Sequence, residues 1–520
     1  MFNFWWGGNV IFVSVANEVI WRLWRHFSSE TISRLSTESF NKAHKIDKDD
    51  GGGVGGLKTR ILKLVYPRRS ATSVLQNWVE EGRGRVSVSE LRCISRLLLK
   101  RQRFKHALEI FTWMEAKERS RMSAVDHAMR LELTIKVHTV GEAEEYFENL
   151  PDTVSKKAAC LPLLHSYVKE RSTEKAEAFM QKMNSLGLIV NPQPFNEMMK
   201  LYIATSQHKK VLAVIVQMKQ NRIPRNVLSY NLWMNACAEL SGVGSAEDVY
   251  KEMIHDKNVV IGWSSLSTLA NIYQKSGAVN KAFWALREAE NKLSSCNRLG
   301  YLFLSTIYAS LNRKDEVVRL WKASKGVKGR ITCANYMCIL SCLVKLGDIK
   351  EAENIFLEWE SQCRTYDIRV PNILLGAYMR NDMMKKAESL FIRSLNRGGC
   401  PNYKTWEIFT EGWVRSNEMD KAIDTMRRCL SMLEDCDWRP SASIVVAIAE
   451  YFEKKGKIED AKQYLGIIRS LGLASLPVYK SLLRMHAYSQ RPIEYILELM
   501  HKDGIELDYE ASALVHEFNI

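Results

Sequence analysis

Residues 343–361 read LVKLGDIKEAENIFLEWES, residues 308–326 read YASLNRKDEVVRLWKASKG, and residues 378–396 read YMRNDMMKKAESLFIRSLN. The three segments stand 35 residues apart and share one layout. Tyr273, Tyr308, Leu343, Tyr378 and Trp413 keep the register, as do Tyr167, Tyr202 and Cys237 upstream. Phe452 follows Trp413 after 39 residues, so one unit carries a small insertion. A fixed period of this length marks an array of stacked units.

Four residues past each landmark comes a punctuation residue: Gly277, Asn312, Gly347, Asp382, Asn417, Gly456. These residue types tolerate the left-handed backbone that ends a helix and turns the chain. Five residues further a small residue recurs: Ala176, Ala246, Ala282, Ala352, Ala387, Ala422 and Ala461. It would let the two helices of a hairpin approach closely. Ala352, Ile355, Phe356 and Trp359 fall on one face of a helix. Each unit therefore reads as helix, turn, helix, with its apolar face covered by its neighbours. Units begin near residues 88, 124, 157, 192, 227, 263, 298, 333, 368, 403, 442 and 476. Strand signals are absent, so the expected fold class is all-α.

The 520 residues exceed an ordinary compact domain, a limit that does not bind a solenoid. The 11 cysteines are scattered, with no CxxC, and the spacing of Cys333, Cys338 and Cys342 does not suit zinc. Reduced, buried thiols are expected, and no metal site. Net charge is +15, and residues 57–121 alone hold 16 Lys/Arg against 6 Asp/Glu. Such a segment is an electrostatic footprint for phosphate, with a merely solvated surface as the bland alternative. Within it, Lys100, Arg101, Arg103 and Lys105 are the candidate phosphate contacts.

Residues 1–46 lie outside the register. They begin apolar and aromatic, carry Arg22, Arg25, Ser28, Ser29 and Arg34, and have no acidic residue before Glu18. A secretory signal would start basic, and Asn9, Asn17 and Glu18 interrupt any membrane span. The expectation is a transit peptide for mitochondria, with chloroplast as the alternative, followed by a Gly-rich linker at 47–56. A basic helical cap is expected at 57–87, the array of about twelve repeats at 88–510, and a tail at 511–520.

In this register the units resemble pentatricopeptide repeats. The openings SYNLWMNACAELSG and PFNEMMKLYIATSQ, the middles YQKSGAVNKA, LVKLGDIKEA and FEKKGKIEDA, and the ending FMQKMNSLGLIVNP carry the likeness. The period and the missing Trp-x-x-Leu-Gly opening separate them from tetratricopeptide repeats. The resemblance covers roughly residues 88–510 and is to the P-type plant members sent to organelles. It implies a right-handed superhelical solenoid that binds single-stranded RNA, one base per repeat. The reading residues it implies are the fifth of a unit and the last before the next. Here these pair Asn196 with Asn226, Asn231 with Gly262, Ser267 with Asn297, and Asn372 with Asn402. An Asn amide offers both donor and acceptor to a base edge. By the same resemblance, Asn with Asn suggests a pyrimidine and Ser with Asn suggests adenine.

Other units depart from that pattern. Leu161, Leu302, Met337 and Val446 stand at fifth positions, where an apolar side chain cannot hydrogen-bond a base. Glu407 stands at another and would repel phosphate. The second position, aliphatic in the family, holds Gln193, Ser264, Arg369 and Lys404. No catalytic constellation is visible: the H-x-E and P-C-x-x-C elements of a zinc deaminase are missing, and GGGVGG is no P-loop. Two readings follow. One is a non-enzymatic organellar adaptor for single-stranded RNA, needing no cofactor and no membrane. The other is an interaction scaffold, for example on the organelle ribosome or with other RNA-processing proteins, that reads no sequence.

Overall fold

The structure, a computed structural model, describes residues 56–64, 70–82, 86–294, 297–432 and 439–518. The expected transit peptide, and all of the linker but Gly56, lie outside the described residues. The described residues are helical and contain no strand. They divide into two compact units, one up to residue 293 and one from residue 294.

In the first unit, helix pairs run Val88–Lys100 with Phe104–Glu118, Ala124–Val137 with Val140–Glu148, and Thr153–Lys169 with Thr173–Ser185. Gln193–Ala204 with His208–Gln220, Val227–Ser241 with Val243–His255, and Trp263–Lys275 with Val279–Asn291 continue it. The short helices Leu57–Leu62 and Ala71–Glu80 precede these pairs and share a core with the first of them, through Leu57, Ile61 and Leu75 against Leu91, Ile94 and Ile110. In the second unit the pairs are Arg298–Ser310 with Lys314–Lys325, Cys333–Lys345 with Ile349–Gln362, and Arg369–Arg380 with Met384–Asn396. Tyr403–Arg415 with Met419–Leu430, Ala442–Lys455 with Ile458–Ser470, and Leu476–Tyr488 with Glu494–Lys502 follow. The helix Tyr509–Phe518 runs through the segment expected to be a tail.

The punctuation residues do what their chemistry suggests. Gly277, Asn312, Gly347, Asp382, Asn417 and Gly456 all have positive φ, from 54° to 78°. Each is followed by a residue whose N–H reaches back to the landmark carbonyl: Ala278 to Tyr273 at 2.9 Å, Asp348 to Leu343 at 3.0 Å, Glu418 to Trp413 at 2.9 Å. That bond closes the helix end. Gln102, Arg171, Ser206 and Gln490 occupy the same left-handed place without a residue that favours it.

The small-residue column is buried at the hairpin interface: Ala176, Ala246, Ala282, Ala352, Ala387 and Ala422 are wholly covered. First helices of neighbouring hairpins also approach closely. A Cβ on Gly412 would lie 2.2 Å from Met379 Cε and 2.9 Å from Met379 Cβ.

A second device joins successive hairpins. The landmark Tyr donates its hydroxyl to a Glu on the second helix of the preceding hairpin, and a Lys eight residues on reaches the same carboxylate. Tyr202 and Lys210 meet Glu177 at 2.9 and 2.7 Å. Tyr273 and Lys281 meet Glu247 at 2.9 and 2.8 Å. Tyr378 and Lys386 meet Glu353 at 2.6 and 2.9 Å, and Tyr167 and Lys175 meet Glu144 at 2.9 and 3.4 Å. The ammonium also sits 5.4–5.9 Å over the Tyr ring, within cation–π range. Where Trp413 replaces Tyr, Lys421 lies 4.4 Å over the ring and 3.7 Å from Glu388, without a hydroxyl. The aromatic landmark is thus an inter-repeat staple as well as a packing residue.

Candidate nucleic-acid interface

The fifth-position residues lie in the opening turns of first helices, and the last residues of the preceding units cap those helices. Asn226 caps Val227–Ser241, with its side chain accepting the Ser229 N–H at 2.9 Å. Asn402 caps Tyr403–Arg415 and accepts the Thr405 N–H at 3.0 Å. Both are capping boxes, which satisfy otherwise orphaned donors. Asn297 caps Arg298–Ser310 through the Gly300 N–H at 3.1 Å.

Two of the four expected pairs form directly. Asn196 Nδ2 donates to Asn226 Oδ1 at 3.2 Å, and Asn372 Nδ2 donates to Asn402 Oδ1 at 3.3 Å. The fifth residues are buried, Asn196 at 2% and Asn372 at 6% exposure. Their capping partners are half-buried. Asn231, opposite Gly262, is buried, and its Oδ1 has no hydrogen-bond partner among the described residues. Ser267 donates to its own helix, to the Ser264 carbonyl at 2.9 Å. Ser267 and Asn297 belong to different compact units.

The departing positions have their own partners. Arg92, fifth in its hairpin, holds Asp126 through Nε at 3.0 Å and a terminal nitrogen at 2.6 Å. Glu407 is in contact with Lys404, so its charge is locally balanced. Arg369 pairs with Asp367 at 2.7 Å. Leu302 is buried. Burial would raise the Glu197 carboxyl, but His165 Nδ1 at 3.1 Å and Lys200 Nζ at 2.6 Å hold it down at about 2. Along Tyr403–Arg415, burial and then the Glu407 charge push the Glu411 carboxyl above its usual range.

The basic cluster falls elsewhere. Lys100 and Arg101 end the first helix Val88–Lys100, and Lys105 opens the second, Phe104–Glu118. They are exposed, but at the inter-helix turn, about 12 Å along the helix from the fifth position. Cations there complement the helix C-terminus. Arg103 is committed to structure, donating to the Leu62 carbonyl at 3.0 Å. Of the four candidate phosphate contacts, Arg103 alone is half-buried, and Lys100, Arg101 and Lys105 are exposed. For the other three, the turn separates them from the Asn positions because the 35-residue period puts 100–105 at the opposite end of the hairpin.

The hydroxyls of Ser229 and Thr405, which join the Asn pairs, were missed from sequence. Their capping-box spacing was the available signal. Among the described residues no group of three or more His, Cys, Asp or Glu could hold a metal ion, and no helix is long and apolar enough to cross a membrane.

A series of helical hairpins, with paired Asn residues at two of the helix openings, defines a helical-repeat protein. The profile described as pentatricopeptide repeat domain matches residues 160–239, and that described as PPR repeat matches 228–257, 335–363 and 370–399. A pentatricopeptide repeat-containing protein of Arabidopsis thaliana is 56% identical over 449 residues, covering 86% of this chain and 91% of its own length. Another from the same plant, named mitochondrial, is 34% identical over 478 residues, covering 92% and 88%. The crystal structure of the maize pentatricopeptide repeat protein PPR10 aligns at a TM-score of 0.37 and 16% identity, covering 89% of this chain and 65% of that one. The chain belongs to the pentatricopeptide repeat family.

Proposed function

We propose that this chain is an organellar adaptor that binds single-stranded RNA and acts in RNA processing, stability or translation, without catalysis. The observation that carries this reading is the Asn pair, formed in the same way at Asn196–Asn226 and Asn372–Asn402. A strand laid across the openings of the first helices would meet an amide pair at the hairpins of Asn196 and Asn372. Helix N-termini favour the phosphates there, and amides offer hydrogen bonds to base edges. Family membership supports the same reading, since pentatricopeptide repeats take one base per repeat.

A mitochondrial site of action is favoured by the several Arabidopsis relatives whose names say mitochondrial. Fusion of residues 1–60 to a fluorescent reporter should deliver it to mitochondria. A chloroplast, cytosolic or secreted reporter would refute that.

A second reading, an interaction scaffold on the organelle ribosome, is favoured by the apolar fifth residues Leu161, Leu302, Met337 and Val446. Crosslinking of the tagged chain to RNA in isolated organelles separates the two. An adaptor recovers a discrete set of RNAs sharing a short element. A scaffold recovers ribosomal components with no shared element.

A further inference from the structure

Resting on that RNA-binding reading, we propose that Ser229 and Thr405 are positioning residues for base recognition: their hydroxyls hold the fifth-position amide of the preceding hairpin, Asn196 or Asn372, against a capping Asn whose own orientation is set by a backbone N–H. The two sites are built alike in separate compact units. Ser229 Oγ donates to Asn196 Oδ1 at 2.8 Å, and Thr405 Oγ1 donates to Asn372 Oδ1 at 3.1 Å. Both residues are wholly buried and third in their helices.

The orientation follows from one group that can only donate, the backbone N–H of Ser229. The Asn226 atom receiving it at 2.9 Å is therefore Oδ1. The Asn196 atom facing that oxygen at 3.2 Å must be the amide nitrogen. The remaining Asn196 atom is the carbonyl oxygen, 2.8 Å from Ser229 Oγ, with Asn226 Oδ1 at 3.0 Å as the other acceptor within the hydroxyl's reach. Asn402, Asn372 and Thr405 close the same circuit at 3.0, 3.3 and 3.1 Å.

The consequence is directional. The capping Asn, half-buried as a residue, has its Oδ1 occupied from inside, while its NH₂ has no partner among the described residues. The group left over in each pair is therefore an N–H donor, which suits a base edge bearing acceptors. Without the hydroxyl, Asn196 Oδ1 loses a donor and its amide is held by Asn226 alone, while Asn226 keeps the Ser229 backbone N–H.

The test uses the full chain and a randomised single-stranded RNA pool, with Ser229→Ala, Thr405→Val and Ser229→Thr compared with the parent. Ser229→Ala and Thr405→Val should each flatten the base preference at one position by ~5-fold or more. The slope of affinity against salt should not change, because no charge is removed. Ser229→Thr should restore the preference, since Thr already serves at residue 405. Thr405→Val keeps the side-chain shape, so it carries the test if Ser229→Ala unfolds. Lowered melting temperatures with an unaltered base profile would mean that the hydroxyls only cap helices, and would overturn the proposal. A parent chain that binds no single-stranded RNA would instead overturn the RNA-binding reading, and this proposal with it.

Discussion

Ser206 shows what one residue in the wrong conformation reveals. It takes φ of 57° in the turn after Gln193–Ala204, where other hairpins use Gly277, Gly347 or Gly456. A left-handed backbone costs an L-residue roughly 1–2 kcal/mol relative to glycine. Ser206 is exposed, so Ser206→Gly removes little else. Chemical denaturation should show a gain of about 1 kcal/mol, and a loss would mean that the side chain holds the turn. The same residue explains part of what the sequence hid. Gly, Asn and Asp announce the turn, whereas Gln102, Arg171 and Ser206 are placed in it by their neighbours' packing. At the candidate site, Asn196, Asn226, Asn372 and Asn402 were singled out by the family resemblance laid over the register. Ser229 and Thr405 were not, because a capping hydroxyl and a positioning hydroxyl have the same spacing.

Between elements, two kinds of contact carry the array. One is close approach. Gly412 admits Met379 from the neighbouring first helix, and even a methyl group would collide with Met379 Cβ. Gly412→Ala should cost about 1–3 kcal/mol by overpacking, read as a lowered denaturation midpoint; an unchanged midpoint would show that the two helices can part freely. The other is the Tyr–Glu–Lys staple. The Tyr378 hydroxyl and then Lys386 hold the Glu353 carboxyl below its ordinary range. A carboxyl depressed on folding stabilises above its unfolded value and loses that contribution as pH falls through its folded value. The melting difference between the parent and Glu353→Gln should therefore be largest near neutrality and vanish in acid. A difference that grows on acidification would contradict the assigned ion pair. Sequence period made the aromatic landmark plain. Its hydroxyl's partner was hidden, because Glu353 lies 25 residues back and meets Tyr378 only when hairpins stack.

For the molecule as a whole, repetition made the all-α fold legible, and the excess positive charge pointed to a polyanion. Charge alone did not show where on the fold the candidate phosphate contacts lie. Lys100, Arg101 and Lys105 sit at an inter-helix turn, a location visible only once the first helix's length is known. The central claim is that the Asn pairs read bases. Its most direct measurement is binding of a randomised single-stranded RNA pool, at two salt concentrations, by the parent and by the double variant Asn372→Ala with Asn402→Ala. The account predicts a sequence preference in the parent and a loss of about 1–3 kcal/mol of discrimination at one position in the variant. The salt slope should be the same for both, since amides neutralise no phosphate. A variant that matches the parent at every position would contradict the claim.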